Sequence, residues 1–303
     1  MTRALHTLDC DVAPDFTAVY LRVERGECAF IETHTAHARP RLLQALTTHG
    51  LRPEDVRYIV VTHAHLDHAA GAGGLLATCP NATLLAHPRA ATHLIAPEKL
   101  VSSAKRVYGE ARFATLYGEV EAAPPDRVRV LEDHATFELG GAAFRVRHTA
   151  GHARHHLVVH DVAHGAVFTG DALGLVYPAL QSRGRFALAS TSPIDFEPEE
   201  ARRALDTILG LGAATACLTH FGAFTDLEVI AGQVRRWIDL SEALLLRCLD
   251  DASPVEVQVA RVEAALRAAL QPYGFSESEL RLLATDLDLN AQGIVVAAQR
   301  RRR

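Results

Sequence analysis

The chain has 303 residues, 49% of them hydrophobic and 22% charged, with a formal net charge of −5. That length allows a sizeable core in one large domain or two. No apolar run approaches the roughly 20 residues needed to span a bilayer, and mild acidity without a basic stripe argues against nucleic acid as a partner.

Residues 17–23 and 28–31 read as two strands joined by a turn at 24–27. Leu42, Leu43, Ala45 and Leu46 have helical spacing within residues 40–49, and Gly50 stands where a helix is terminated. A turn at 51–55 leads to Tyr58-Ile59-Val60-Val61, a short apolar run that reads as a buried strand. Directly after it come His63, His65, Asp67 and His68, and then a run of small and apolar residues that starts a helix. Residues 83–122 follow a mostly helical pattern interrupted by Pro88 and Pro97, with His87 and His93 read as a helix entry and an exposed face. Tyr108, Phe113 and Tyr117 are spaced to line one helical face and read as packing.

After Pro124-Pro125, residues 128–130 and 135–147 alternate like strands around a Gly140-Gly141 turn. The next stretch holds His148, His152, His155, His156, His160 and His164, and spacing does not choose among them. Residues 157–159 and 166–168 read as strands, the second ending at Gly170-Asp171. Residues 174–195 lack periodicity and read as a long loop of the kind that often carries function. Residues 197–211 form a helix and 214–218 a strand that delivers His220. From Asp226 onward the pattern is helical. A long amphipathic helix is broken at Ser253-Pro254, a second covers 255–270, and a third begins at Ser276 with capping-box spacing to Glu279.

Three histidines and an aspartate within six residues, at the carboxyl end of a strand, are the ligand types zinc and its first-row neighbours take. Burying that many polar groups without a cation would be costly. Thr62-His63-Ala64-His65-Leu66-Asp67-His68 resembles the HxHxDH signature of the metallo-β-lactamase superfamily. Thr149-Ala150-Gly151-His152, Phe168-Thr169-Gly170-Asp171 and Leu218-Thr219-His220 resemble its three later ligand motifs, in the same order, over roughly residues 5–225. The resemblance implies an α/β fold, a four-layer αββα sandwich over residues 1–225, followed by a C-terminal helical extension over 226–303.

It also implies two divalent metal ions, with zinc expected and iron or manganese as alternatives. His63, His65 and His152 would hold the first, and Asp67, His68 and His220 the second. Asp171 would bridge them. The implied activity is a dinuclear hydrolase in which a bridging hydroxide attacks an ester, thioester or lactone carbonyl, with Asp67 as the proton acceptor. An iron-dependent persulfide dioxygenase and a phosphodiesterase are the alternatives within the superfamily.

Asp171 stands where β-lactam hydrolases commonly have Cys, and His65 where diiron flavoproteins have Glu, which leaves thioesterases of the glyoxalase II type, lactonases, phosphodiesterases and persulfide dioxygenases among the branches the resemblance implies, with a glyoxalase II- or lactonase-like branch expected. Arg235 and Arg236 sit where that branch could bind glutathione, but read more simply as a solvated helix face. The loop after Asp171 carries Tyr177, Arg183, Arg185 and Phe186, which are expected either to line a pocket for a small acyl or lactone substrate with an anionic end or to pack against the helical tail.

The five cysteines, at 10, 28, 79, 217 and 248, form no CxxC pair, and residues 1–6 lack the apolar core of a signal peptide. A cytoplasmic protein acting on a small molecule, with a homodimer allowed and no membrane association, is the expectation. The terminal arginines, Arg300 to Arg303, read as a solvated end.

Overall fold

A computed structural model describes residues 3–10 and 16–302 of the chain. They fall into two compact units. The first holds the described residues of 1–148 together with 155–170 and 211–225, and the second holds 149–154, 171–210 and 226–302.

The first unit is built on two six-stranded sheets. One has the order β1 (Arg3–Asp9), β2 (Ala18–Glu24), β3 (Glu27–Ile31), β4 (Val56–Val60), β5 (Thr83–Ala86), β6 (Val128–Val130). Its first three strands pair antiparallel and β3 to β6 pair parallel. The other runs from β7 (Thr136–Leu139) through β8 (Ala142–His148), β9 (Leu157–Asp161), β10 (Ala166–Gly170) and β11 (Thr215–Leu218) to β12 (Gly222–Phe224). It is antiparallel except where β10 meets β11.

Side chains alternate across a strand, so β2 and β3, buried along almost their whole length, serve two cores at once. Val19, Leu21, Val23, Cys28 and Phe30 pack with helices Arg39–Thr48, Ala72–Thr78 and Pro88–Ile95. Ala18, Tyr20, Ala29 and Ile31 pack with Phe137, Phe144, Val146, Val159 and Phe168 of the other sheet. On that inter-sheet side Arg22 of β2 is fully buried; its Nε donates to Asp161 of β9 at 2.5 Å and its Nη2 to Glu24 at 2.8 Å. Arg3 of β1 adds a second cation to Glu24 at 2.9 Å. A third apolar cluster joins Leu66, Ala70 and Phe113 with residues of helices Glu98–Tyr108 and Glu110–Tyr117.

The second unit contains helices Pro198–Gly210, Leu227–Leu249, Val255–Ala269, Glu277–Leu282 and Ala284–Arg301. The anticipated capping box is present, with the Glu279 N–H donating to Ser276 Oγ at 3.3 Å and the Ser276 N–H to the Glu279 carboxylate at 2.7 Å. The last helix lies close against the 191–192 backbone, since a Cβ at Gly293 would run into the Thr191 carbonyl. Among the described residues no helix is long and apolar enough to cross a membrane.

Two mixed sheets with helices and a C-terminal helical region correspond to the expected class. The helical reading of residues 83–122 needs one correction, because Thr83–Ala86 is strand β5. Four residues are too few to show a period. With Leu84, Leu85 and Ala86 all buried, this strand between two parallel neighbours is apolar on both faces, like a helix fragment. The edge strands β1 and β12 also lay outside the sequence reading.

Candidate metal centre

The HxHxDH stretch leaves the carboxyl end of β4, at the middle of its sheet. The turn is held by Val61 donating to the Leu85 carbonyl at 3.1 Å and Leu157 donating to the Thr62 carbonyl at 2.8 Å. His63 and His68 are fully buried, and His65 is the extended residue before the short helix Leu66–Ala69. The His63 ring lies 4.5 Å from that of His65 and 4.0 Å from that of His68, centroid to centroid.

His220 arrives from the other sheet, two residues beyond β11. Its Nε2 is 3.4 Å from the Asp67 carboxylate, and His68 Nε2 is 3.7 Å from the same oxygen. Asp67, His68 and His220 thus present three ligand atoms within 4.8 Å of one another. Asp67 differs from its neighbours in being accessible, with 43% of its side chain exposed.

The tautomers are set from behind. His220 Nδ1 donates to the Phe16 carbonyl at 3.0 Å, which leaves Nε2 as the ligand nitrogen. His68 Nδ1 donates to Glu32 at 3.2 Å with the same result. Glu32, at the end of β3, is 1% exposed and also receives the Thr62 hydroxyl and, at 3.3 Å, that of Thr219. Glu32, His63 and His68 form a further cluster of ligand-type atoms.

Glu32 escaped the sequence reading. Its one signal was an acidic residue closing an apolar strand, a position that Asp171 shares. Glu32 and His34 have φ of +70° and +55°, a region uncommon for residues other than glycine and concentrated at functional sites. The segment is tied down by Thr33 N–H to the His68 carbonyl at 2.9 Å, Gly71 N–H to the His34 carbonyl at 3.0 Å and His34 Nδ1 to the Asp67 carbonyl at 2.9 Å. Gly71 is required there, because a Cβ would sit 2.8–2.9 Å from the Thr35 and Thr33 carbonyl oxygens.

Asp171 follows directly on β10 and belongs, like His152, to the second unit. There His152 Nε2 is 3.5 Å from the Asp171 carboxylate, and its Nδ1 donates to the Ser190 carbonyl at 3.2 Å. Both side chains are nearly buried.

The other histidines have different partners. His148 donates to the Leu131 carbonyl at 2.8 Å and lies against His87, ring centroids 4.1 Å apart. His87 caps helix Pro88–Ile95 by accepting the Arg89 N–H at 3.0 Å, the helix-entry role read from the sequence, and burial brings its pKa down to about 4. His155 accepts the Ala64 N–H at 3.3 Å.

The loop after Asp171 does not present the side chains expected to line a substrate pocket. Arg185 is paired in bidentate fashion with Asp226 at 2.7 and 3.0 Å. Phe186 packs edge-on against Tyr273 and Phe275 at 4.8 and 4.9 Å, and Arg183 pairs with Glu279 at 2.8 Å. The Tyr177 hydroxyl lies 3.4 Å from Asp286. These residues join the loop to the C-terminal helices, the packing alternative.

A family model described as the metallo-beta-lactamase superfamily matches residues 12–220. A metallo-beta-lactamase fold-containing protein of Sulfurisphaera tokodaii is 35% identical over 124 residues, 40% of this chain and 46% of that protein. A lactamase-like protein of Arthroderma otae is 26% identical over 181 residues, 58% of this chain and 42% of that protein. The chain thus aligns with less than half the length of these curated relatives. Among solved structures, an archaeal metallo-beta-lactamase superfamily protein from Sulfolobus tokodaii superposes with a TM-score of 0.67 at 21% identity, covering 97% of this chain and 99% of that one. A metallo-beta-lactamase family protein from Thermus thermophilus gives 0.68 at 22% identity, covering 98% and 93%. At such identity these structures speak for the fold alone.

Proposed function

Because the chain belongs to the metallo-β-lactamase superfamily, we propose that it is a metal-dependent hydrolase of a small ester, thioester or lactone. The observation that carries the reading is the triad of Asp67, His68 and His220, with both imidazoles turned by their rear hydrogen bonds to offer Nε2. That donor set, one carboxylate and two neutral imidazoles, suits a divalent cation such as zinc. Following the motif resemblance, His63, His65 and His152 would hold one ion and Asp67, His68 and His220 the other, with Asp171 as a further ligand. Two such ions would polarise the carbonyl oxygen and lower the pKa of the attacking water. The chain's own part is to order the ligands and move the proton. Asp67, the accessible carboxylate, takes the proton released as water attacks and returns it to the leaving group.

The test is metal analysis together with a panel of esters, thioesters, lactones and phosphodiesters. Asp171→Ala is expected to lose at least one ion per chain and His152→Ala to weaken binding of one, while His148→Ala retains the wild-type content. Unchanged content in both Asp171→Ala and His152→Ala would show the ligand assignment to be wrong. A single iron with oxygen consumption would favour the persulfide dioxygenase chemistry instead.

A further inference from the structure

His152 Nδ1 lies 3.2 Å from the Ser190 carbonyl. A carbonyl only accepts, so Nδ1 carries the proton and Nε2 keeps the lone pair that a metal takes. Ser190 itself belongs to no strand or helix. Its carbonyl can direct the imidazole only if something else holds the backbone around it.

Asn290 of the last helix does so, within the same second unit. Its Oδ1 accepts the Thr191 N–H at 2.7 Å and its Nδ2 donates to the Ala189 carbonyl at 2.8 Å, so one side-chain amide grips the main chain on both sides of Ser190. The Thr191 hydroxyl returns a bond to the Asn290 carbonyl at 3.2 Å. Three residues further on, Gly293 lets the helix come up against the Thr191 carbonyl, which a Cβ would strike. Asn290 is 4% exposed, and a buried amide matched at both ends is confined to one orientation.

Gln233 forms a second clamp of this kind on the same loop. It accepts the Ala187 N–H at 2.9 Å and donates to the Arg185 carbonyl, which grips both sides of Phe186. The two amides differ in what they enclose. Phe186 packs on Tyr273 and Phe275, whereas Ser190 receives the His152 ring.

We propose that Asn290 is a positioning residue for the metal-binding imidazole of His152, acting through the Ser190 carbonyl. This rests on the reading that gives His152 to a metal ion. The partner behind a ligating histidine fixes its tautomer and ring direction. Here that partner is a main-chain carbonyl in a loop, and Asn290 supplies the rigidity the loop lacks.

The experiment compares Asn290→Leu, Gln233→Leu and wild type. Each variant removes one buried amide and leaves an N–H and a carbonyl of the loop without their partner, so both are expected to lower Tm. Zinc affinity, measured by competition against a chromophoric chelator, separates them. Asn290→Leu is expected to weaken one zinc ion per chain by about 10- to 100-fold, while Gln233→Leu stays within about threefold of wild type. Affinity within about threefold of wild type in Asn290→Leu, equal weakening of both its ions, or an equal loss in Gln233→Leu overturns the proposal.

Imidazole NMR of the wild-type chain, assigned with His152→Ala, tests the same point even if Asn290→Leu does not fold. A slowly exchanging His152 Nδ1–H is expected with and without zinc. The Nε2–H tautomer or fast exchange in the zinc-free chain overturns the proposal. If His152→Ala keeps the wild-type zinc content, the ligand assignment fails; a His152 Nδ1–H lost in Asn290→Leu but kept in Gln233→Leu then still shows the clamp.

Discussion

Asp161→Ala is expected to lower the unfolding free energy by about 3–5 kcal/mol, the usual consequence of removing one partner from a buried ion pair. Arg22 has no exposed surface, and its guanidinium spans the space between the two sheets to reach Asp161. With Asp161 gone, Glu24 remains as a counter-ion, but Nε faces a protein interior that cannot hydrate it. The double replacement Arg22→Met with Asp161→Leu, which removes both charges and keeps the volume, is expected to cost less than Asp161→Ala, because it leaves no buried ion unpaired. Urea titrations should show the midpoint of Asp161→Ala shifted at an unchanged slope. A shift worth less than about 1 kcal/mol, the range of exposed pairs, would mean that water reaches the guanidinium.

The same network gives a pH dependence. Hydrogen bonding from Arg22, reinforced by Arg3, holds the Glu24 carboxyl below its usual pKa. A carboxyl depressed in the folded state contributes stability that is present above its unfolded pKa and is lost as pH falls through the folded value. Acid should therefore weaken wild type through this group, and Glu24→Gln should remove that part of the slope.

Glu32→Gln is expected to reduce metal affinity about 10- to 100-fold, the scale of losses when the partner behind a ligating histidine is replaced. The substitution preserves shape but takes away the anion that receives His68 Nδ1 and the Thr62 and Thr219 hydroxyls. The amide can present its NH2 to His68 and favour the other tautomer, which turns Nε2 into a donor. Competition against a chromophoric chelator should resolve the loss. An affinity within threefold of wild type would mean that His68 is oriented by packing alone.

Glu32 also marks where sequence reasoning stopped. The HxHxDH cluster was legible because its residues are neighbours in the chain and every side chain is of a ligand type. His220 was legible only through the resemblance of its motif, and the choice of His152 among six histidines rested on Thr-x-Gly-His rather than on spacing. Glu32 is brought to His68 by the parallel pairing of β3 with β4 and by a left-handed backbone, neither of which leaves a local trace.

Strand β5 was missed because a fully buried strand between parallel neighbours has no alternation to read. The loop after Asp171 stayed open between a pocket and packing because aromatic and cationic residues look the same whether they wait for a ligand or pair with distant acids. Asp226 and Asp286, which occupy Arg185 and Tyr177, are 41 and 109 positions away.

The second unit is assembled from three separated stretches of chain, and their bonds interlock. Asn290 of the last helix receives the Thr191 N–H at 2.7 Å and donates to the Ala189 carbonyl at 2.8 Å, and Gln233 receives the Ala187 N–H at 2.9 Å. The stretch that begins with Asp171 therefore takes its shape from residues up to about a hundred positions downstream. For inheritance, the C-terminal helices and the 171–210 segment form a single trait written in two places. Recombination that exchanged one without the other would leave Arg185, Asn290 and Gln233 without their counterparts. A chimera between this protein and a relative should fold only when both pieces come from the same parent.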